Sequence, residues 1–279
     1  MSAPVELRLH RPTSAAQRLG DAAACPIDLR RLIDAAAGLK RPIVAFRPPF
    51  AALGSASAGI LRAARERRAC VALILEVAET PSQALGPILQ AVAAASDDAG
   101  FDWPLGLLSE GPTLWAEGDV EPARERLSAL IEAGLSNAVL RLRGSAPLAA
   151  RWLSAAAEPA REQELSWALR PEGELPASFA AGEGPALVWL DPRLVLRDGR
   201  PTGRAGWVST TGGEPASVRE ALVRAEVALV EAPLELPPGA RGERAEALAY
   251  FAADRALVAW DVEETAPRMA AALLERWGA

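Results

Sequence analysis

Histidine is almost missing from this chain, and so is lysine. His10 is the one imidazole and lies near the N-terminus, so histidine-held metals and histidine general bases are nearly excluded. Lys40 is the one lysine against 29 arginines, which leaves Schiff-base chemistry a single candidate. The two cysteines, Cys25 and Cys70, stand in neither a CxxC nor a metal-ligand spacing, as expected of a reducing compartment. Cys70 precedes an apolar run and reads as an inert core thiol. No apolar run approaches the roughly 18 residues that cross a bilayer. Glu6 and Arg8 interrupt the stretch where a signal peptide needs an apolar core. A net charge of −6, from 30 basic and 36 acidic residues without a dense basic block, argues against a nucleic-acid partner. These absences together predict a cytoplasmic protein with no membrane and no nucleic-acid role.

What is present is ordinary globular material, 50% hydrophobic and 24% charged, in 279 residues. Residues 1–25 read as a polar tail or a plug beneath the fold, and residues 26–279 as one domain. Buried strands are expected at Pro42 to Phe46, Val71 to Val77, Leu105 to Leu108, Ala138 to Leu142, Leu165 to Leu169, Ala186 to Leu190, Trp207 to Ser209 and Val227 to Val230. Helical spacing separates most of them, at Asp28 to Leu39, Ser55 to Arg68, Ser82 to Ala95, Val120 to Ala133, Pro147 to Ala157 and Ala216 to Arg224. Arg193 to Arg204, after the sixth strand, reads as loop. Two further helices, Arg244 to Ala253 and Glu263 to Trp277, close the chain. Eight strands alternating with helices predict an α/β fold, a (β/α)8 TIM barrel with an extra C-terminal helix. An open doubly wound sheet would want a Gly-rich turn after its first strand, where Arg47-Pro48-Pro49 stands instead.

Chemistry in such a barrel collects where strands end. Those ends carry Arg47, Glu76, Glu79, Ser109, Glu110, Arg141, Arg143, Arg170, Glu172, Asp191, Arg193, Ser209, Thr210, Thr211 and Glu231. Glu76, Glu110, Glu172 and Asp191 could ligate Mg²⁺ or Mn²⁺, which take oxygen donors. Arg47, Arg141 and Arg170 could hold an anionic ligand by paired hydrogen bonds. The plain alternative is that the two charge sets pair with each other around the rim.

Thr210-Thr211-Gly212-Gly213-Glu214 has the form of an anion-binding turn before a helix. Ser209, Thr210, Gly212 and Gly213 are its candidate contacts, although Glu214 and Glu231 bring unwanted negative charge. Of the eight tryptophans, Trp103, Trp167, Trp189 and Trp207 fall on expected strands and read as core. Trp115 and Trp152 fall outside strands and could line a substrate or partner surface.

Four stretches carry a resemblance to a known family. Leu107-Leu108-Ser109-Glu110-Gly111-Pro112-Thr113-Leu114-Trp115 is similar to Gly-Gly-Asp-His-Leu-Gly-Pro-x-x-Trp of class II aldolases, in the tagatose-bisphosphate aldolase branch, with one residue fewer. Val71 to Ala78 resembles the second-strand pattern ending Ile-Glu-Ala-Thr. Arg161-Glu162-Gln163-Glu164-Leu165-Ser166-Trp167, followed by Glu172, resembles the fifth-strand Arg-Glu-Gln-Leu-Ser-Tyr segment and its Glu. Val208-Ser209-Thr210-Thr211 falls where the family has a His-Ser-Thr or His-Gly-Gly turn.

The resemblance implies zinc held by histidines at the ends of strands three, six and seven, with an Asp beside the first for proton transfer. Here Ser109-Glu110 replaces the Asp-His pair, Val208 the seventh-strand His, and the sixth strand offers Asp191. Zinc is therefore not expected. Lys40 lies before the first strand, at the wrong end for a Schiff base. Two readings follow. In one, a degenerate aldolase-like barrel acts without catalysis in carbohydrate metabolism, with no cofactor. It binds a small anion or pairs with a homologous aldolase subunit, for which the branch's non-catalytic companion subunit is the precedent. In the other, an active carbon–carbon lyase works on a sugar phosphate or oxo-acid. Mg²⁺ or Mn²⁺ on Glu76, Glu110, Glu172 and Asp191 serves it, with Ser109, Glu110 and Glu172 as catalytic groups. A homodimer is what the resemblance suggests. Carboxylates clustered on one inner face favour the lyase; carboxylates paired off with Arg143 and Arg170, leaving no cavity, favour the binding protein.

Overall fold

A computed structural model describes residues 28–48, 53–78, 80–101, 103–133, 135, 137–172, 184–190, 205–209, 227–232, 266–268 and 270–275. The expected helices at 216–224 and 244–253 lie outside these residues. Eight strands pair in parallel and in chain order: β1 (Ile43–Phe46), β2 (Val71–Glu76), β3 (Leu105–Trp115), β4 (Asn137–Arg143), β5 (Trp167–Pro171), β6 (Leu187–Leu190), β7 (Ala205–Ser209) and β8 (Val227–Ala232). The curl closes on itself, with Ile43 opposite Leu229 and Ala45 opposite Glu231. Helices α1 (Leu29–Leu39), α2 (Leu53–Arg67), α3 (Ser82–Ala99), α4 (Glu121–Glu132), α5 (Ala146–Ala156) and α6 (Glu158–Glu162) precede or connect the first five strands. Residues 266–268 and 270–275 are helical, within the expected closing helix.

Both faces of a parallel sheet are covered, so its strands read as unbroken apolar runs rather than alternations. All of Ile43 to Phe46 and Val71 to Leu75 are buried, and Glu76 is the first exposed residue of β2. Alternate side chains then sort into two cores. Val44, Phe46, Leu73, Leu75, Leu107, Leu140 and Leu169 pack outward against the helices. Ile43, Ala45, Ala72, Ile74, Leu108, Val139, Ala168, Leu187 and Leu229 fill the interior with Leu29, Leu32 and Ala36 of α1. The plug beneath the barrel is thus α1. Residues 1–25 lie outside the described residues.

Short polar contacts fix α1 there. Asp28 caps the helix by accepting the Arg30 N–H. The same carboxylate accepts the Ser166 N–H at 2.8 Å and the Ser166 hydroxyl at 2.7 Å, while Asn137 accepts the Leu29 N–H at 3.0 Å. Gly106 lets the helix come close, because a Cβ there would lie 2.5 Å from Leu32 Cδ2. The helix stops at Lys40, whose φ of 55° turns the chain into β1 from below. Lys40 therefore stands at the end of the barrel opposite the rim.

One element departs from expectation. β3 does not stop at Leu108 and turn at Gly111-Pro112; it runs on to Trp115, with its register against β4 shifting between Glu110 and Thr113. Proline cannot donate to a ladder, and the irregularity absorbs that loss. The extension delivers Thr113 and Trp115 to the rim as well as Glu110. Trp103 precedes β3, Trp152 is buried on α5 with 6% exposure, and β5 begins at Trp167 rather than Leu165.

Candidate site at the mouth of the barrel

Strand parity decides which residues face the mouth. Arg47 continues the interior row of β1, Glu76 that of β2, Glu110 that of β3, Arg141 that of β4, Arg170 that of β5 and Glu231 that of β8. Ser109 has the opposite parity. It is buried among the residues facing the helices, and its hydroxyl finds no partner among the described residues. Ser109 is therefore not a mouth residue, which corrects its expected place in a catalytic group with Glu110 and Glu172.

Two ion-pair networks occupy the mouth. Glu110, 1% exposed, accepts Arg47 Nη1 on Oε2 at 2.6 Å and Arg170 Nη1 on Oε1 at 2.7 Å. Arg47 reaches past it to Glu231, donating from Nε at 3.2 Å and Nη2 at 3.0 Å to Oε1. Burial alone would lower the Arg47 pKa, but Glu110 and Glu231 raise it above its ordinary value. The second network centres on Glu172. Its Oε1 accepts Arg141 Nη2 at 2.6 Å, Arg141 Nε at 3.1 Å and the Thr113 hydroxyl at 2.8 Å; its Oε2 accepts Arg143 Nη2 at 2.9 Å. Partial burial pushes its pKa up, yet these donors hold it below the ordinary carboxylate value. Arg170 also lies over the Trp189 ring at 5.5 Å, and Arg143 over Trp115 at 5.1 Å.

Among the described residues, the carboxylates offered as metal ligands are engaged separately. Glu110 and Glu172 are held by arginines, and Glu76 is exposed. Asp191, Glu79 and Arg193 lie outside the described residues. Among the described residues no group of three or more His, Cys, Asp or Glu could hold a metal ion. Zinc, which the resemblance implies, fits poorly with what stands at its positions. Glu110 has both oxygens in ion pairs, and Val208 offers no donor. Thr210, Thr211, Gly212 and Gly213 lie outside the described residues, as does the Ser209 side chain. Cys70 is buried, which pushes its thiol pKa up, as an inert core thiol requires. No helix among the described residues is long and apolar enough to cross a membrane.

The arginines keep unused donors. Arg141 and Arg170 are register partners on adjacent strands, each about a quarter exposed. Arg141 Nη1 and Arg170 Nε and Nη2 have no acceptor among the described residues. Sequence reasoning missed Thr113 as a partner of Glu172 and Trp189 as the platform under Arg170. An inward strand position after Leu187 was the available signal for Trp189.

No protein-family profile matches the sequence. No curated protein matches it either. Solved structures do share the fold. The YdjI aldolase from Escherichia coli K12 superposes with a TM-score of 0.62 at 12% identity, covering 91% of this chain and 97% of that one. A candidate fructose-1,6-biphosphate aldolase from Coccidioides immitis gives 0.55 at 12% identity, over 89% of this chain and 94% of that one. A candidate lyase/mutase from Burkholderia cenocepacia J2315 gives 0.51 at 15% identity, over 84% and 93%. At these identities the likeness is one of fold: an α/β scaffold whose parallel strands curl into a barrel.

Proposed function

We propose that this chain is a complete (β/α)8 barrel, a degenerate relative of class II aldolases near the tagatose-bisphosphate branch. It works as a non-catalytic binding or companion protein in carbohydrate metabolism. The observation that carries this reading is Glu110. At the position matched to the family's third-strand histidine stands a buried carboxylate whose two oxygens are each taken by an arginine. A cation would have to displace Arg47 and Arg170 to use it, leaving Arg47 with Glu231 alone and Arg170 with no carboxylate among the described residues.

The same arginines suit a small anion. Arg141 and Arg170 are register partners on adjacent strands and both keep unused nitrogens, from which a carboxylate or phosphate could accept. Trp115, 56% exposed and stacked with Arg143, offers a surface for a homologous aldolase subunit or a second copy.

The lyase reading with Mg²⁺ or Mn²⁺ keeps one observation on its side. Glu76 and Glu110 are register partners, and Glu76 has no ion pair among the described residues.

Melting temperature against increasing inorganic phosphate and citrate tests the binding reading. Saturation at 100-fold over the dissociation constant adds about 2.7 kcal/mol. A shift lost in Arg141→Gln and Arg170→Gln is the expected result. An unchanged melting temperature with both anions contradicts the anion site.

A further inference from the structure

The strand registers sort the interior into layers, each built from alternate strands and rising about one residue per strand. Arg47, Glu110 and Arg170 share one layer, from β1, β3 and β5, and their ion pairs cross it. The layer directly beneath, from β2, β4, β6 and β8, consists of Ile74, Val139, Trp189 and Glu231. Two of its members are apolar and buried. The other two each hold a buried polar atom with no partner among the described residues: Trp189 Nε1–H, a donor, and Glu231 Oε2, an acceptor. Glu231 is 5% exposed, and only its other oxygen is satisfied, by Arg47.

An unpaired buried donor and an unpaired buried acceptor each carry a desolvation cost. Neighbouring positions of one layer hold both. A hydroxyl group satisfies both kinds at once, accepting from the indole N–H and donating to the carboxylate. An anion could not take this place, because Glu231 would repel it. An apolar group would leave both atoms unpaired.

We propose that the Trp189–Glu231 layer is the hydroxyl-binding floor of the mouth. It selects small hydroxylated anions whose carboxylate or phosphate is held above it by Arg141 and Arg170. The anionic half of this statement rests on the binding reading above; the hydroxyl half rests on the orphaned pair alone. A site built to bond a hydroxyl discriminates strongly against the analogue lacking it, because both buried groups are then left unpaired.

Calorimetric titration of the full chain with glycerate, propionate and glycerol separates the two halves. Wild type is compared with Trp189→Phe, which removes the donor and keeps an aromatic ring, and with Glu231→Gln, which removes the carboxylate acceptor. Circular dichroism checks that each variant is folded, and either folded variant suffices. Glycerate is expected to bind at least about tenfold tighter than propionate, with the gap closing in the variants. Equal affinity for glycerate and propionate overturns the hydroxyl floor and leaves the anion site standing. Glycerol binding that the variants lose, without any anion binding, supports the floor and overturns the anion site. If none of the three binds, both are overturned.

Discussion

Arg47 Nη1 donates to Glu110 Oε2 at 2.6 Å, joining the end of β1 to the interior of β3 across the mouth. The bond is worth little against water, since burying an ion pair costs about what it returns. Removing one partner is different. Glu110→Gln leaves Arg47 and Arg170 facing each other without the buried charge between them. The expected loss is about 3–5 kcal/mol in urea unfolding, with an unchanged denaturant slope. A loss below about 1 kcal/mol shows that solvent, not Glu110, neutralises the arginines.

Glu172 ties stability to acid. Its folded pKa lies below the ordinary 4.5 because Arg141, Thr113 and Arg143 outweigh the upward push of burial. A depressed carboxylate contributes stability that is full above its unfolded pKa and lost as pH falls through the folded one. The gap in unfolding free energy between wild type and Glu172→Gln is therefore expected to be constant from about pH 6 to 7 and to narrow below about pH 4.5. A gap that stays constant down to pH 3 contradicts the pairing.

Asp28 is the anchor of the plug. Asp28→Ala removes the cap of α1 and leaves the N–H and hydroxyl of Ser166 without their acceptor. The expected cost is about 2–4 kcal/mol, with hydrogen exchange in α1 accelerated more than in α4. Uniform acceleration across the fold indicates that α1 is not separately anchored.

Gly59 makes room for the closing helix. A Cβ there would lie 2.9 Å from Cγ and Cδ of Pro267, atoms of a ring that cannot swing aside. Gly59→Ala is expected to cost about 1–3 kcal/mol in thermal or urea unfolding, against near neutrality for Gly86→Ala, where nothing lies within 4 Å. Equal effects at the two sites show that the helix simply moves away.

Backbone and mouth differ in how legible they are from the sequence. The strand runs were legible because a strand covered on both faces has no polar alternation to confuse it, as in Val71 to Leu75. The extension of β3 was hidden because Gly111-Pro112 reads locally as a turn, while pairing with β4 resumes at Thr113 and overrides it. Charged ends of strands were visible as a set, but not who pairs with whom. Arg47 meets Glu231 across 184 residues of chain, a relation that only the closed register creates. Trp115 and Trp152 looked alike in sequence, yet one stacks on Arg143 at the rim and the other is buried on α5.

We propose that arginines, rather than a metal, satisfy Glu110 and Glu172 at the mouth. The most direct test is the melting temperature of chelator-treated protein against Mg²⁺, Mn²⁺, Zn²⁺ and Ca²⁺, for wild type and for Glu110→Gln, each against its own metal-free baseline. No shift is expected with any cation in either protein. A shift in wild type that disappears in Glu110→Gln contradicts it and establishes a metal centre at the third strand.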